Sequence, residues 1–293
     1  MGKVVVIGSA NIDLVYHVDR LPVIGETIFG DSFVKLPGGK GLNQAVASSR
    51  CNVDTLFLGS FGSDDNFLKT CLSKDNIDLS HLLESSNEGG TAIITICNGD
   101  NTIVVLSGAN NDVDVSYIED KLSLIEKDDI VVIQNEIPQE VNEFIINYCY
   151  DNGIKIVYNP APAREIDISL IDKVTYFTPN ETEAMTIFED EYEAIVRKYP
   201  NKVIVTVGKD GVIYFDGKDI VSIKPDVVKP VDTTGAGDTL SGIFSASLAS
   251  NLSLKEALTN GVKGATLSTL KLGAQGGMPR RKGGLDEKEW DFE

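Results

Sequence analysis

Residues 231–239 read Val-Asp-Thr-Thr-Gly-Ala-Gly-Asp-Thr, and an apolar run with helical spacing follows at once. The pattern predicts a loop that enters a helix with almost no side chains in the way. Such a turn presents backbone N–H groups at the positive end of a helix dipole, which suits an anion. The carboxylate of Asp238 would repel an anion, unless it accepts a proton from a nucleophile that attacks a bound phosphate. Helix capping is the structural alternative, but capping alone does not explain so many small residues, and we favour function.

Strands and helices alternate along most of the chain. We expect strands at 4–7, 55–61, 130–134, 155–159, 176–178, 202–207, 211–215 and 220–222. We expect helices at 42–50, 64–76, 139–152, 181–188, 191–198, 239–251 and 254–270. The short β-branched runs are typical of buried strands in a parallel sheet. The alternation predicts an α/β fold, a mostly parallel sheet with helices on both faces.

Two regions do not fit this alternation. Residues 14–34 read as an extended excursion with turns, and 91–96 and 102–106 read as a hairpin joined by Asn98-Gly99-Asp100-Asn101. We expect these strands to form a small sheet apart from the main one. No internal repeat or linker marks a second domain, so residues 1–293 are predicted to form a single domain. The tail, 276–293, is charged and rich in glycine, and we expect it to be loosely packed.

The composition narrows the class of protein. The formal net charge of −18 argues against nucleic acid or an anionic membrane as a partner. No apolar stretch approaches transmembrane length, and we recognise no signal peptide. The four cysteines form no CxxC pair and only two histidines are present, which disfavours a zinc site and predicts free thiols in the cytoplasm.

Four more clusters of small and polar residues follow predicted strands, where open parallel sheets bind ligands. They are Asn11 with Asp13, Gly38-Gly39-Lys40-Gly41 with Asn43 and Gln44, Asn180 with Glu183, and Thr206-Val207-Gly208-Lys209-Asp210-Gly211. The first and last, taken alone, read as ordinary turns. The second is equally a ligand loop or a turn before a helix. The third is either a capping box or a carboxylate that orients hydrated Mg²⁺.

Together, these clusters resemble the ribokinase-like (PfkB) carbohydrate kinases. The resemblance rests on residues 38–45, Gly-Gly-Lys-Gly-Leu-Asn-Gln-Ala, and 232–239, Asp-Thr-Thr-Gly-Ala-Gly-Asp-Thr. It is supported by Asn-Pro-Ala-Pro-Ala at 159–163, Thr-Pro-Asn-Glu-Thr-Glu-Ala at 178–184 and Gly-Ala-Asn at 108–110. It runs from the first strand to about Pro279. The order and spacing of the motifs are more specific than any one of them.

The resemblance implies a ribokinase-like three-layer sandwich with a small β-sheet lid at about 14–36 and 91–107. The implied sugar-binding residues are Asn11, Asp13, Gly39, Lys40, Asn43, Glu136 and Asp238. Asp238 would also be the catalytic base, beside an anion hole formed by Gly235, Ala236 and Gly237. The implied nucleotide-binding residues are Asn180, Thr206, Gly208, Gly211 and Gly237. Glu183 would place Mg²⁺ through water, and Asp232 and Thr234 would hold a monovalent cation, usually potassium.

The implied activity is ATP-dependent phosphorylation of a sugar, with the 5-hydroxyl of D-ribose as the first candidate. The alternatives are another small sugar or nucleoside as acceptor, and a catalytically inactive sugar-binding protein on the same fold. A dinucleotide-dependent oxidoreductase is disfavoured because residues 8–13 lack the GxGxxG spacing. The family also implies a homodimer through the lid. The chain departs from the family pattern at Leu240, where an aromatic residue is usual, and in its ending after Met278.

Overall fold

The computed structural model describes residues 2–63, 65–98, 100–283 and 290–291. Its strands are β1 Val4–Ile7, β2 Asn11–His17, β3 Ser32–Gly38, β4 Thr55–Leu58, β5 Ser60–Phe61, β6 Ile77–Asp78, β7 Leu83–Glu84, β8 Gly90–Cys97, β9 Asp100–Leu106, β10 Ile130–Ile133, β11 Lys155–Tyr158, β12 Tyr176–Phe177, β13 Ile204–Thr206, β14 Val212–Phe215, β15 Ile220–Ile223, β16 Arg280–Arg281 and β17 Trp290–Asp291. Its α-helices are α1 Lys40–Ser49, α2 Asn66–Leu72, α3 Val115–Glu119, α4 Gln139–Asn152, α5 Ser169–Lys173, α6 Glu181–Phe188, α7 Tyr192–Lys198, α8 Ala236–Ala249 and α9 Leu254–Ser268.

The central sheet has six parallel strands in the order β12-β11-β10-β1-β4-β6. Side chains of β1 alternate between two cores: Val4 and Val6 face α1, α8 and α9, whereas Val5 and Ile7 face α4, α5, α6 and α7. All four side chains are fully buried. The predicted α/β class is therefore confirmed, and helices cover the sheet on both faces.

An antiparallel extension continues the fold beyond β12. Strands β13, β14 and β15 pair with one another in sequence order. Isolated parallel bridges join Phe177 to Val203 and Asn180 to Thr206, so the extension begins beside the edge of the central sheet. This brings the end of β13 next to the start of α6.

A separate sheet of four strands, the lid sheet, is formed by β3, β2, β8 and β9 in that order. The outer pairs are antiparallel and the central pair, β2 with β8, is parallel. The separate small sheet expected from the hairpin and the excursion is confirmed. Its strands begin earlier than expected, because β2 starts at Asn11, directly after the turn that ends β1. Its own core is small and consists of Val15, Ala92 and Ile94.

Several predicted boundaries were wrong for identifiable reasons. The strand predicted over 55–61 is split at Gly59, because β4 pairs with β1 whereas β5 pairs with β7. The predicted helices 42–50 and 239–251 begin at Lys40 and Ala236, so the glycine motifs already belong to the first helical turns. The helix predicted over 64–76 is shorter and covers Asn66–Leu72.

The expectation of a loosely packed tail is wrong for its described part. Met278 is only 3% exposed and lies in the core, and the backbone N–H of Arg281 donates to the carbonyl of Arg50 at 2.9 Å. The Arg50 guanidinium also donates to the carbonyl of Met278, at 2.9 Å. The rest of the predicted tail, 284–289 and 292–293, lies outside the described residues. None of the helices in the described ranges is long and apolar enough to span a bilayer.

Candidate active site

The glycine-rich motif forms the N-terminus of α8. Gly235 caps the helix with φ = 75°, a left-handed conformation that favours glycine, and a Cβ there would lie 2.7 Å from the Cβ of Ala274. Gly235 and Gly237 line a cavity of about 220 Å³ together with Asp238. The N–H of Ala236 donates to the carbonyl of Thr233 at 3.2 Å, so this one of the three expected anion-hole donors is engaged here.

Two side-chain amides from α1 hold the carboxylate of Asp238, which is 7% exposed. Nδ2 of Asn43 donates to Oδ2 at 2.9 Å, and Nε2 of Gln44 donates to Oδ1 at 3.1 Å. The same Gln44 nitrogen also lies 3.2 Å from Oδ1 of Asn159. Each carboxylate oxygen thus accepts one amide N–H, which fixes the plane of the carboxylate and leaves lone pairs on both oxygens for another donor.

Glu136 closes the opposite end of the polar region. Its Oε2 accepts the hydroxyl of Ser9 at 2.5 Å and the backbone N–H of Lys40 at 3.0 Å. Nearby, Oδ1 of Asn11 accepts Nδ2 of Asn110 at 2.8 Å. A cavity of about 310 Å³ adjoins these groups and is lined by Asn11, Asn110 and Glu136 among others. Residues far apart in sequence thus meet where β1 and β10 end.

Two ionisable side chains, Asp13 and Lys40, interact with both Asp238 and Glu136. Burial, then the carboxylates of Glu136 and Asp238, raise the pKa of Asp13 to about 7. Burial disfavours the ammonium of Lys40, but neighbouring carboxylates outweigh it and raise the pKa of Lys40; they belong to Asp238, Glu136 and Glu183. The Asp13 carboxylate occupies the space where a Cβ on Gly38 would stand, 2.2 Å from Oδ1, so only glycine fits beside it.

Asp13 is expected to make folding stability depend on pH. Its folded pKa of about 7 exceeds the ordinary 3.8, so the folded state retains a proton there that the unfolded chain has lost. This carboxyl therefore costs stability increasingly as pH rises from about 4 to 7, and by a constant amount above 7. Asp13→Asn should raise the free energy of unfolding at pH 8 by an amount on the order of a few kcal/mol.

Thermal denaturation of both proteins at pH 4 and pH 8 tests this. The gain from Asp13→Asn should be present at pH 8 and small at pH 4. An equal gain at both pH values would show that the charge is not its source.

A larger cavity of about 630 Å³ is lined by residues of α8 and α9 and by the turn after β13. Of the five residues expected to bind a nucleotide, Thr206, Gly208, Gly211 and Gly237 line it, whereas Asn180 lines the 220 Å³ cavity. The apolar wall of the larger cavity includes Val228, Leu240, Val262 and Ala265. Leu240 is 5% exposed and contributes to both this wall and the core, so it serves as a packing residue where an aromatic side chain was expected.

The start of α6 faces the 220 Å³ cavity. The expected capping box is present: Oδ1 of Asn180 accepts the N–H of Glu183 at 2.7 Å, and Oε2 of Glu183 accepts the N–H of Asn180 at 2.8 Å. Burial is the largest effect on Glu183 and raises its pKa, with a further contribution from Asp238. Both readings of this cluster remain compatible, because capping occupies one oxygen of Glu183 and the residue still lines the cavity.

Asp232 ties two loops together. Its carboxylate oxygens accept the N–H of Thr234 at 2.9 Å and the N–H of Gly273 at 2.8 Å. Burial opposes ionisation of Asp232, but these backbone hydrogen bonds, together with one from the Thr234 side chain, outweigh it and lower the pKa. The result is an ionised carboxylate beside two runs of backbone. Thr234 is exposed, and both its N–H and its side chain interact with Asp232.

The site therefore joins most of the expected residues and adds others. Around Asp238 lie Asn43, Lys40 and Glu183; Asn11, Asp13 and Glu136 form the other end. Five side chains in this network had no assigned role: Ser9, Gln44, Asn110, Gln134 and Gln275. Gln44 and Asn110 lay inside quoted motifs, so their amides were a signal available in the sequence. Gln275 was not, because it follows α9 and reaches Asn43 only through the fold.

Asp238 thus places a buried carboxylate at a helix N-terminus, between a small polar pocket and a larger cavity, an arrangement that suits a small-molecule phosphotransferase. The chain belongs to the pfkB family of carbohydrate kinases, whose family model matches residues 1–281. It is 43% identical to ribokinase of Lactococcus lactis subsp. lactis (strain IL1403) over 289 residues, which cover 96% of this chain and 95% of that protein.

Two further similarities agree with the family. Identity to ribokinase of Bacillus subtilis (strain 168) is 43% over 286 residues, 96% of this chain and 97% of that protein. The solved structure of Arabidopsis thaliana ribokinase complexed with ribose and ATP superposes with a TM-score of 0.83 at 27% identity. It covers 96% of each chain.

Proposed function

We propose that this protein transfers the γ-phosphate of ATP to the primary 5-hydroxyl of D-ribose, giving ribose 5-phosphate and ADP. The observation that carries the proposal is the position of Asp238, buried at the N-terminus of α8 between the polar pocket and the 630 Å³ cavity. The ribokinases among its relatives support ribose as the sugar, and the ribose and ATP bound in the plant enzyme support this pair of substrates.

In this proposal, Asp238 is the general base. Its carboxylate accepts the proton of the 5-hydroxyl as that oxygen forms a bond to the γ-phosphorus, and the bond from the γ-phosphorus to the bridging oxygen breaks to release ADP. The N–H groups at Gly235 and Gly237 stabilise the charge on the transferring group. Ala236 joins this anion hole if its N–H leaves the carbonyl of Thr233.

The sugar would lie between Asp238 and Glu136. Asn11, Asp13 and Glu136 supply acceptors for its hydroxyls, and the backbone of Gly39 allows close approach because no side chain is present. Lys40 and Asn43 supply donors at the other end. A group of acceptors and donors this dense suits a polyhydroxylated ligand, since each buried polar atom needs a partner. The lid sheet, which carries Asn11 and Asp13 on β2, would exclude water.

The nucleotide would lie in the 630 Å³ cavity, against Thr206, Gly208, Gly211 and Gly237, with Asn180 beside its phosphates. The cavity fits this group because polar groups and apolar side chains both line it. A cytoplasmic location belongs to the proposal, since ATP is available there.

The residues present also fit two cations. Glu183 retains an oxygen free of its capping hydrogen bond and lines the cavity with Asn180, which suits Mg²⁺ held mainly through water and phosphate. When bound, Mg²⁺ would neutralise phosphate charge. Asp232 supplies an ionised carboxylate, whose hard oxygens suit potassium, and Thr234 in the same loop adds a hydroxyl oxygen.

We further propose that the protein forms a homodimer through the lid sheet. Strand β9 lies at an edge of that sheet, and four consecutive apolar side chains on it are about half exposed: Ile103 at 51%, Val104 at 59%, Val105 at 47% and Leu106 at 56%. An exposed apolar edge strand favours pairing with another chain.

Val104→Asp is expected to raise the dimer dissociation constant at least about tenfold, because it places a charge in the buried surface. Sedimentation velocity over a concentration series measures it. Tyr150→Asp, on α4 and away from the lid sheet, is the matched control for an exposed large side chain. A variant that dimerises like the unmodified protein would contradict the role of β9.

A panel of sugars in a coupled ADP-release assay tests the proposed substrate, with and without potassium. We expect the highest kcat/KM for D-ribose, above deoxyribose, fructose and a nucleoside, and a rise in turnover when potassium is added. Preference for another acceptor would replace ribose in the proposal. Sugar binding without ADP release would instead support an inactive sugar-binding protein.

A further inference from the structure

Two chains of side-chain amides converge on Asp238. In one, Nε2 of Gln275 donates to Oδ1 of Asn43 at 3.0 Å, and Nδ2 of Asn43 donates to Asp238 at 2.9 Å. In the other, Nε2 of Gln134 donates to Oε1 of Gln44 at 2.7 Å, and Nε2 of Gln44 donates to Asp238 at 3.1 Å. Both chains run in the same direction, with every donor pointing towards the carboxylate.

The direction matters because an amide has one accepting end and one donating end. If Asn43 turned over, its oxygen would face the carboxylate of Asp238, and two acceptors would oppose each other. Gln275 opposes this turn, because the N–H that it directs at Asn43 holds the Asn43 oxygen on the Gln275 side. The same reasoning applies to Gln134 and Gln44. Both distal glutamines are buried, Gln275 at 6% exposure and Gln134 at 0%, so water does not readily replace them.

A contact with the C-terminal end of α1 holds the backbone at Gln275 in place. Its backbone carbonyl accepts Nη1 of Arg50 at 2.7 Å, and Arg50 lies seven residues after Asn43, at the C-terminal end of the same helix. The Arg50 guanidinium is in turn bound by Asp75, with Nε 2.9 Å from Oδ1. The segment around Gln275 is therefore fixed relative to Asn43 at two points.

We propose that Gln275 is a positioning residue for phosphoryl transfer: it orients the Asn43 amide, and that amide orients the carboxylate of Asp238. Gln275 lines none of the three cavities described above and acts through Asn43. The inference rests on the proposed function, because it assigns Gln275 a part in the proton transfer at Asp238. Gln134 has the equivalent place behind Gln44.

A double-mutant cycle on kcat tests the relay. Gln275→Met keeps the length of the side chain and removes the donor, so kcat should fall about tenfold, the equivalent of about one hydrogen bond, while the KM for ATP stays unchanged. In an Asn43→Ala background, the same substitution should change kcat by less than about twofold, because the residue through which it acts is gone. Gln139→Met, at an exposed glutamine on α4, is the control and should keep full activity.

Gln275→Glu adds a second arm. It preserves size and polarity but presents an acceptor to the Asn43 oxygen, so kcat should fall at least as far as in the methionine variant. Thermal denaturation shows whether each variant is folded under the assay conditions.

The possible outcomes distinguish a failure of the proposed function from a failure of the role assigned to Gln275. Without ADP release from the unmodified protein with any sugar, the proposed function fails and the inference with it. With an active parent, unchanged kcat in folded Gln275→Met or Gln275→Glu overturns the inference alone. So does an equal loss from Gln275→Met in both backgrounds, since a purely structural role would be additive.

Discussion

Asp238→Asn is expected to lower kcat by about 10²–10⁴-fold, because the side chain can no longer accept the proton of the attacking hydroxyl. The anion-hole N–H groups would remain, so some residual turnover is expected. Steady-state ADP release with D-ribose and ATP measures the loss. The KM for ATP should change little, since Asp238 lies outside the 630 Å³ cavity.

The fold of this variant should be retained, with a moderate loss of stability. Asn43 and Gln44 donate to both oxygens of Asp238, and an asparagine there would turn its NH₂ group towards one of these donors. Asp129→Asn is a matched control, since that buried carboxylate contacts Lys3 and lies outside the site. It should reduce the Tm and preserve kcat, and near-parental kcat in Asp238→Asn would refute the general base.

Gly235→Ala is expected to reduce kcat by about 10²–10³-fold, the effect of losing one anion-hole donor. The added Cβ would stand 2.7 Å from the Cβ of Ala274 and 2.8 Å from its Cα, so the N-terminus of α8 must shift. A φ of 75° adds strain for alanine. Both kcat and the Tm should decline. The size of the kcat loss relative to the Tm loss distinguishes an effect on the anion hole from an effect of backbone strain.

Gly153→Ala is a control that shows the effect of backbone strain alone, at a glycine outside the site. Gly153 has φ = 65° at the end of α4, and a Cβ there meets nothing within 4 Å. It should cost stability of about 1 kcal/mol without changing kcat. If Gly235→Ala behaves like this control, the N-terminus of α8 does not hold the transferring phosphoryl group.

Local patterns in the sequence predict much of the fold. The β-branched run Val4–Ile7 predicts a strand buried on both faces, and the structure places its side chains in both cores. Asn180 and Glu183 predict a capping box, which forms. Such features depend on a few neighbouring residues, so sequence spacing is sufficient to recognise them.

Other features depend on residues that meet only through the fold. The change of partner at Gly59, from β1 to β7, has no local signal, because both pairings suit the same apolar run. The contact of Gln275 with Asn43 joins residues 232 positions apart. The order of the described tail likewise depends on Arg50, whose guanidinium reaches the carbonyl of Met278. Glycine and charge content alone suggested a loose tail, since composition does not show these anchors.

The residues of the candidate site also fall into those that sequence motifs predict and those that only the fold brings together. The motifs predict Asp238, the glycines before it and the polar residues after β1, since each stands at a strand end or a helix start. The sequence does not show that Lys40 and Glu136 contact each other. In the fold, the backbone N–H of Lys40 donates to the Glu136 carboxylate at 3.0 Å. The amides that orient Asp238 form a third group, recognisable only from the direction of their hydrogen bonds.

The most direct test of the central claim is identification of the reaction products from D-ribose and ATP by ³¹P NMR. We predict one ribose 5-phosphate for each ADP, with the phosphate coupled to the two C5 protons, and formation of both products about 10²–10⁴-fold slower in the Asp238→Asn variant. Hydrolysis of ATP to free phosphate, phosphate on another hydroxyl, or full product formation by Asp238→Asn would contradict the account.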